Sequence, residues 1–408
     1  MNPLYHNGKM LSRNTTETII TKFLIIVANF ALVVATTRLW GSEGRGEIAL
    51  VLANISIIAI FSNIFCGSTI AYHAPKMQRD LLLSIGFTGA ILVSLSGSII
   101  FSGIYGFRFF WFLFLIALFL SLTTAVSSYW LGKNNVRNYN LLTLLNPVFV
   151  LISLAFFYLI LNKTNLNTYY QAYYTGTGIV VVLGIAGILM RNPYKMPGIC
   201  YPDIKSILNY GVKNEFNYLI QFLNYRLSYY FIAEMLGFTQ LGVFSVVVSI
   251  SEAVWIISRS MSAVHFSNVI NSDDQLKNRH DTVVFARQSF FISIALLVFS
   301  VLIPGTLYQA VFGNEFGDVR RFIIYLLPGI IAIAVSNLYG HYFAGTGNLK
   351  ILRDKSLLGL ALTLILMPLL VKKYHLTGAC ISLNISYILS SVYLWICFRR
   401  ETKSSNIF

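Results

Sequence analysis

Long apolar segments separated by short polar connectors dominate the chain. Eight of them contain no Asp, Glu, Lys or Arg over at least 24 residues. Each is long enough to cross a bilayer core, which needs about 20 helical residues. They are residues 48–75, 81–107, 109–132, 138–162, 164–190, 288–314, 322–349 and 374–398. The pattern predicts an all-α, polytopic membrane protein.

Four further segments are apolar enough to span the membrane, although they are shorter or carry charges. They are residues 18–40, 212–236, 239–266 and 356–371. Lys355 and Lys372 bound the last of these segments, and their long side chains can extend to the membrane surfaces. The sequence therefore predicts about twelve transmembrane helices.

Basic residues are distributed unequally between alternate connectors. If the amino terminus is cytoplasmic, eighteen Lys and Arg residues lie on the cytoplasmic side and seven on the other. This bias predicts that both termini are cytoplasmic. The chain is 56% hydrophobic and only 11% charged, whereas soluble domains have about 25% charged residues. The net charge of +15 therefore reflects membrane orientation, and we expect no nucleic-acid partner.

The longest connector, residues 191–211, separates six predicted helices from the other six. It is basic and contains Pro193, Pro197 and Pro202. We therefore predict an amino-terminal lobe (1–190), a cytoplasmic linker (191–211) and a carboxy-terminal lobe with a short basic tail (212–408).

A short motif recurs once in each half of the chain. Residues 39–46 read LWGSEGRG and residues 235–242 read MLGFTQLG, so each motif has two glycines five residues apart, at an offset of 196 residues. A weaker match relates residues 129–132 to residues 342–345. Glycine is common at helix ends, but two matches in the same order favour an internal repeat. Six spans return the chain to its starting side, so the two halves would be parallel repeats around a central cavity.

The opening hairpin, residues 37–46, resembles that of bacterial polysaccharide flippases. Residues 344–350 (AGTGNLK) and 376–381 (LTGACI), before and at the entry to the last helix, resemble them as well. These proteins are the O-antigen unit translocases of the multidrug, oligosaccharidyl-lipid and polysaccharide exporter superfamily.

This resemblance implies two six-helix lobes arranged in a V, with helices one, two, seven and eight lining the cavity. It implies a flippase that moves an undecaprenyl-pyrophosphate-linked oligosaccharide from the cytoplasmic to the periplasmic leaflet by alternating access. The implied location is the bacterial inner membrane. The implied partners are this substrate, membrane lipids, and the polysaccharide polymerase and chain-length machinery. No cofactor is implied.

Charged residues occur in three of the predicted spans. A charge at the centre of a membrane helix costs about 2.5–3.5 kcal/mol on insertion scales, so such residues normally face a polar cavity or an ionic partner. They include Lys22 in span one, Glu215, Arg226 and Glu234 in span seven, and Glu252 and Arg259 in span eight. These spans are among those that the resemblance places around the cavity.

The basic members of this set are candidates for binding a pyrophosphate, since guanidinium groups bind phosphate oxygens well. Arg226 and Glu252 lie at equal distances along the chain from the turn near Thr239. They could therefore form an internal ion pair, or Arg226 could contact substrate directly. Arg259 could also bind substrate, or Glu215 could reach it. Lys22 could instead anchor its helix at the cytoplasmic surface.

Uncharged polar residues provide further candidates. Span seven carries a stripe on one helical face, formed by Asn214, Asn217, Gln221, Asn224 and Ser228. The stripe could bind sugar hydroxyls, or it could form hydrogen bonds between helices. Arg226 points about 160° away from this stripe. In span one, Asn29 follows Lys22 by seven residues and is a weaker candidate of the same kind.

Two other classes of protein are possible. An enzyme is disfavoured because the sequence has no paired carboxylates, nucleophile elbow, phosphate-binding loop or HExxH motif. The four cysteines lack CxxC spacing, so we expect no metal site. An ion-coupled small-molecule or multidrug antiporter on the same fold is the remaining alternative. In that case Glu252 would be the ion-coupling carboxylate.

The predicted orientation can be tested by labelling single cysteines placed in the connectors of a cysteine-free variant. We expect an impermeant maleimide added outside the cell to label cysteines at positions Gly106, Asn165 and Asn314. We expect positions Asn135, Asn271 and Ser404 to react only after the membrane is permeabilised. Labelling from the opposite side at two or more of these positions would contradict the twelve-span topology.

Overall fold

A computed structural model describes residues 13–190, 201–270 and 274–404. Every regular element in these ranges is helical. In chain order the helices are α1 (Arg13–Ser62), α2 (Gly67–His73), α3 (Arg79–Tyr105), α4 (Phe110–Gly132), α5 (Val136–Ala155), α6 (Asn167–Leu189), α7 (Tyr201–Leu236), α8 (Phe238–Ile270), α9 (Gln275–Leu302), α10 (Gly305–Phe312), α11 (Val319–Gly345) and α12 (Leu349–Ser404).

Two of these helices, α1 and α12, are each kinked at one residue with a positive φ. Gly41 has φ 65° and ψ −163°, and His375 has φ 50° and ψ −137°. A right-handed helix cannot continue through these conformations, so each long helix consists of two spans.

The kinks reconcile the number of helices with the number of predicted spans. Among the described residues, nine segments are long and apolar enough to cross a membrane, and two of them are the kinked pairs Ile20–His73 and Leu349–Glu401. Each kinked segment accounts for two predicted spans. The 36-residue helix α7, which carries several charges, accounts for the remaining one. The predicted all-α polytopic fold is confirmed.

Packing divides the chain into two compact units. The first holds the chain up to Leu32 together with Asn54–Phe216, and the second holds Val33–Ala53 together with the chain from Asn217 onward. Helices α1 and α7 therefore contribute residues to both units.

The predicted linker is only partly a connector. Residues 191–200 lie outside the described residues, and residues 201–211 form the first turns of α7. Pro202 is compatible with this helix because the first turn needs no intrahelical N–H donor. The part of the predicted linker that the structure describes is therefore helical and continuous with the seventh span, and the cytoplasmic location of this linker stays a prediction.

The glycines of the repeated motif form a reciprocal backbone contact inside the second unit. A Cβ atom on Gly46 would collide with the carbonyl oxygen of Phe238, and one on Gly242 would collide with the carbonyl oxygen of Ser42. The offset of 196 residues relates Gly46 to Gly242 and Ser42 to Phe238. The two contacts are therefore equivalent, which confirms the internal repeat at these hairpins.

The turns beside this contact have equivalent backbone conformations. Gly41 and Gly237 have φ of 65° and 84°, a region that favours glycine. After the first turn, the Ser42 amide donates a hydrogen bond to Glu315 Oε2 at 2.6 Å. This carboxylate satisfies one free N–H at the start of the second span, where the helix dipole also favours a negative charge.

Arg45 lies in the same hairpin and is buried. Its side chain is 8% exposed, and its Nε donates a hydrogen bond to Ser245 Oγ at 3.1 Å. The Ser245 hydroxyl donates in turn to the Gly242 carbonyl at 2.8 Å. Arg45 therefore links the two hairpins.

The weaker sequence match also corresponds to equivalent positions. A Cβ atom on Gly132, at the end of α4, would collide with the carbonyl group of Ala71 on α2. A Cβ atom on Gly345, at the end of α11, would lie 2.7 Å from Val269 Cγ1 on α8. In each unit a glycine thus allows close packing against the end of the second span of its half.

Replacing the contact glycines should destabilise the protein. We expect Gly46→Ala and Gly242→Ala each to lower the free energy of unfolding by about 1–3 kcal/mol, because the added methyl group has no space beside a rigid carbonyl. Thermal unfolding of the purified protein would measure the effect.

Gly103→Ala and Gly187→Ala are matched controls because a Cβ atom at either helical position meets nothing within 4 Å. These variants should be neutral or more stable by up to about 1 kcal/mol. If all four variants had the same melting temperature, the hairpin contact would not limit stability.

Candidate substrate-binding face

One face of α8 changes from buried to exposed along the helix. Gly242, Ser245, Ser249, Glu252 and Arg259 are spaced by 3, 4, 3 and 7 residues, which keeps them on one side of the helix. The first two are buried, the next two are half-buried and the last is exposed. We call these five residues the α8 face. It is closed at one end by the hairpin contact and open at the other.

An ion pair lies at the middle of the α8 face. Arg226 of α7 contacts both carboxylate oxygens of Glu252, with Nη1–Oε1 at 2.8 Å and Nη2–Oε2 at 3.0 Å. Their side chains remain 24% and 31% exposed. The guanidinium carbon also lies 5.1 Å from the centre of the Tyr229 ring. The contact expected from the register is therefore present, as an ion pair with one hydrogen bond, from Nη2 to Oε2.

Arg259, at the open end of the α8 face, is arranged differently. It is exposed, and its guanidinium carbon lies 5.9 Å from the centre of the Trp255 ring. Among the described residues it has no acidic partner. The Glu215 carboxylate, considered above as a partner of Arg259, bonds to Ser68 and Asn214 within the first unit.

The polar stripe of α7 divides between packing and exposed positions. Asn224 is 3% exposed, and its Oδ1 accepts a hydrogen bond from the Ser386 hydroxyl at 3.5 Å. Its amide also packs against Gly359. Asn224 therefore joins α7 to α12, which is the interhelical role considered for the stripe, and its role in substrate binding stays a prediction. Gln221 is exposed, and the side chain of Asn217 lies outside the described residues.

The candidates in α1 belong to the first unit. Lys22 and Asn29 are both exposed and, being seven residues apart, lie on one side of the helix. Ile20 and Val27 are also exposed, and they lie about 160° away around the helix. The helix thus has an apolar exposed side suited to lipid and a separate polar exposed side.

Sequence reasoning did not identify two residues that position this region. They are Arg45, in the first repeated motif, and Glu315, shortly before α11. The repeated glycines were the signal that could have located Arg45, since they predict close packing of the two hairpins. No sequence signal links Glu315 to Ser42, because 273 residues separate them.

The chain was compared with protein-family models and with known proteins. No protein-family model matches the chain. The capsular polysaccharide biosynthesis protein CapF of Staphylococcus aureus is 23% identical over 169 residues, which are 41% of this chain. The matched segment spans 43% of the length of that relative.

Solved structures match over nearly the whole chain. An inward-facing multidrug resistance MATE family transporter of the MOP superfamily has a TM-score of 0.74 at 12% identity, covering 95% of this chain and 98% of its own. The lipid II flippase MurJ has a TM-score of 0.74 at 13% identity, covering 95% and 87%. The MATE multidrug transporter DinF-BH, solved as a ligand complex, has a TM-score of 0.70 at 15% identity, covering 97% and 96%. The chain therefore has the fold of these transport proteins, none of which is an enzyme.

Proposed function

We propose that this protein is a flippase for an undecaprenyl-pyrophosphate-linked oligosaccharide, the repeat unit of O-antigen or a related surface polysaccharide. It would move this substrate from the cytoplasmic to the periplasmic leaflet of a bacterial inner membrane by alternating access. The MurJ-like fold and the partial similarity to a capsular polysaccharide biosynthesis protein support this class of substrate.

The observation that carries the proposal is the exposed Arg259 at the open end of the α8 face. An arginine on a membrane helix is costly unless it faces water or an anion. A guanidinium can donate parallel hydrogen bonds to phosphate oxygens, and it stays charged at any physiological pH. Arg259 therefore suits the anionic head of a lipid-linked sugar, and its cytoplasmic position predicted from the topology suits a substrate from the inner leaflet.

The two arginines on this surface would have separate roles. Arg226 is held by both oxygens of Glu252, so it braces α7 against α8. Arg259 lies seven residues beyond Glu252, about 10 Å further along the helix. The pyrophosphate would bind at Arg259. The ion pair between Arg226 and Glu252 would hold the α8 face in position.

The sugar moiety requires neutral hydrogen-bonding groups. The exposed Gln221 provides an amide donor and acceptor on α7. The exposed polar side of α1, formed by Lys22 and Asn29, is the corresponding candidate in the first unit. Once flipped, the substrate would be available to the polymerase and chain-length machinery as expected partners.

The alternative is an ion-coupled small-molecule antiporter, since multidrug transporters share this fold. Such a pump needs a carboxylate that can take up and release a cation. Glu252 is less suited to this role because Arg226 already neutralises it in a two-point contact. Dye extrusion that depends on this protein, with normal surface polysaccharide in its absence, would favour the antiporter.

The bracing role of the ion pair can be tested by exchanging its charges. Arg226→Ala and Glu252→Ala should each lower the free energy of unfolding by about 1–3 kcal/mol, because each leaves a partly buried charge unpaired. The double variant Arg226→Glu with Glu252→Arg should recover part of this loss. Melting temperature and membrane abundance measure it. If both single variants were stable but inactive and the exchange recovered nothing, the pair would act in transport rather than as a brace.

The role of Arg259 can be tested by a charge series at equal membrane abundance. We expect polysaccharide export to decrease in the order Arg259→Lys, Arg259→Ala, Arg259→Glu, because the pyrophosphate depends on positive charge. Arg287→Ala, at an exposed arginine of α9, is the matched control and should export like the parent. Equal export by all three Arg259 variants would exclude a charge role.

Deleting the gene tests the flippase proposal itself. Lipid-linked units should remain on the cytoplasmic leaflet, and the finished surface polysaccharide should be lost. Staining of the surface polysaccharide and analysis of extracted lipid-linked sugars would measure both. Normal polysaccharide in the deletion strain would refute the proposal.

A further inference from the structure

A break in the second span of the first half contains a polar contact with α7. Helix α1 ends at Ser62 and α2 begins at Gly67 within one segment that is apolar enough to cross a membrane. Helix α7 packs directly on the break, because a Cβ atom on Gly211 would collide with the carbonyl oxygen of Ile64. Interrupted membrane helices with close polar groups are common sites of ion binding.

One turn beyond Gly211, the carboxyl group of Glu215 is enclosed at this contact. Glu215 is 5% exposed. Its Oε1 accepts hydrogen bonds from Ser68 Oγ at 3.3 Å and from Asn214 Nδ2 at 3.0 Å. The Asn214 amide also donates to Ser68 Oγ at 2.6 Å. Glu215 Oε2 has no hydrogen-bond partner among the described residues.

The contact offers Glu215 no cationic partner within the described ranges. The titratable groups along it are Cys66 in the break, Tyr72 and His73 on α2, and Tyr210 and Lys213 on α7.

Three of these groups have other contacts. The imidazole of His73 bonds to the Thr69 carbonyl through Nδ1 and to Ser206 Oγ through Nε2, and Tyr72 stacks on Tyr210. Lys213 is exposed. The side chains that donate hydrogen bonds to the carboxyl group, Ser68 and Asn214, are both neutral.

A carboxylate enclosed in this way is costly, because two neutral hydrogen bonds do not replace its hydration. It can be neutralised by a proton or by a metal cation. A metal cation would need oxygen ligands, whereas both polar neighbours present donor hydrogens to Glu215. A carboxylic acid fits better: Oε1 accepts both hydrogen bonds and Oε2 carries the proton.

We propose that Glu215, with Ser68 and Asn214, forms a proton-binding site at the break between α1 and α2. With the proton bound, the first half of α7 packs on the break as a neutral surface. When the proton leaves, the carboxylate needs water, and the contact between α7 and α2 loosens. The site does not depend on the identity of the transported substrate.

Carbodiimide labelling tests this site in the full-length protein in proteoliposomes. Dicyclohexylcarbodiimide reacts with protonated carboxyl groups in apolar surroundings, and peptide mass spectrometry locates the adduct. We expect an adduct at Glu215 whose yield decreases by up to about tenfold per pH unit above its midpoint, as for a single titrating group. The ion-paired Glu252 is the internal control and should remain unlabelled in the same sample.

Two further samples complete the experiment. Glu215→Gln, a neutral side chain of the same shape, should remove the adduct and keep the parent's melting temperature at low pH. Labelling in high sodium chloride, compared with potassium chloride, tests for a metal cation. No adduct at Glu215 at low pH in folded protein, or equal labelling of Glu252, would refute the proposal. Protection by sodium alone would replace the proton with a sodium ion.

Discussion

The close approach of two backbone hairpins at Gly46 and Gly242 is the constraint on which the second unit depends. Each glycine admits a carbonyl oxygen of the other hairpin where a methyl group would collide. Because the side chains of a helix follow a fixed angular spacing, this contact also sets the direction in which Ser245, Glu252 and Arg259 project from α8. The same side is thus sealed at one end and exposed at the other.

Charges in this protein persist in membrane helices by three different means. Arg226 and Glu252 neutralise each other, so their cost is met by direct pairing. Arg45 is buried, but its N–H groups donate hydrogen bonds to hydroxyl oxygens. Arg259 has neither arrangement among the described residues and is exposed. A charge that packing does not satisfy requires an external partner, which is why function is inferred at Arg259 and not at the better-ordered Arg226.

Sequence periodicity predicted the spans, the repeat and the register of the ion pair, because each of these depends on local spacing. It failed where the outcome depends on a neighbouring helix. Asn224 and Gln221 lie on the same predicted stripe, yet only Asn224 meets Ser386 and is buried. Glu215 was considered as a partner of Arg259, but Ser68, 147 residues away, bonds to it.

Helix α7 carries two charged side chains that are satisfied in different ways. Glu215 accepts hydrogen bonds from the neutral Ser68 and Asn214 within the first unit. Arg226 pairs with the carboxylate of Glu252 within the second unit. At the proposed proton site the charge of Glu215 changes when the proton binds, whereas in an ion pair each partner favours the charged form of the other. The same helix therefore carries one group that can become neutral and one that stays charged.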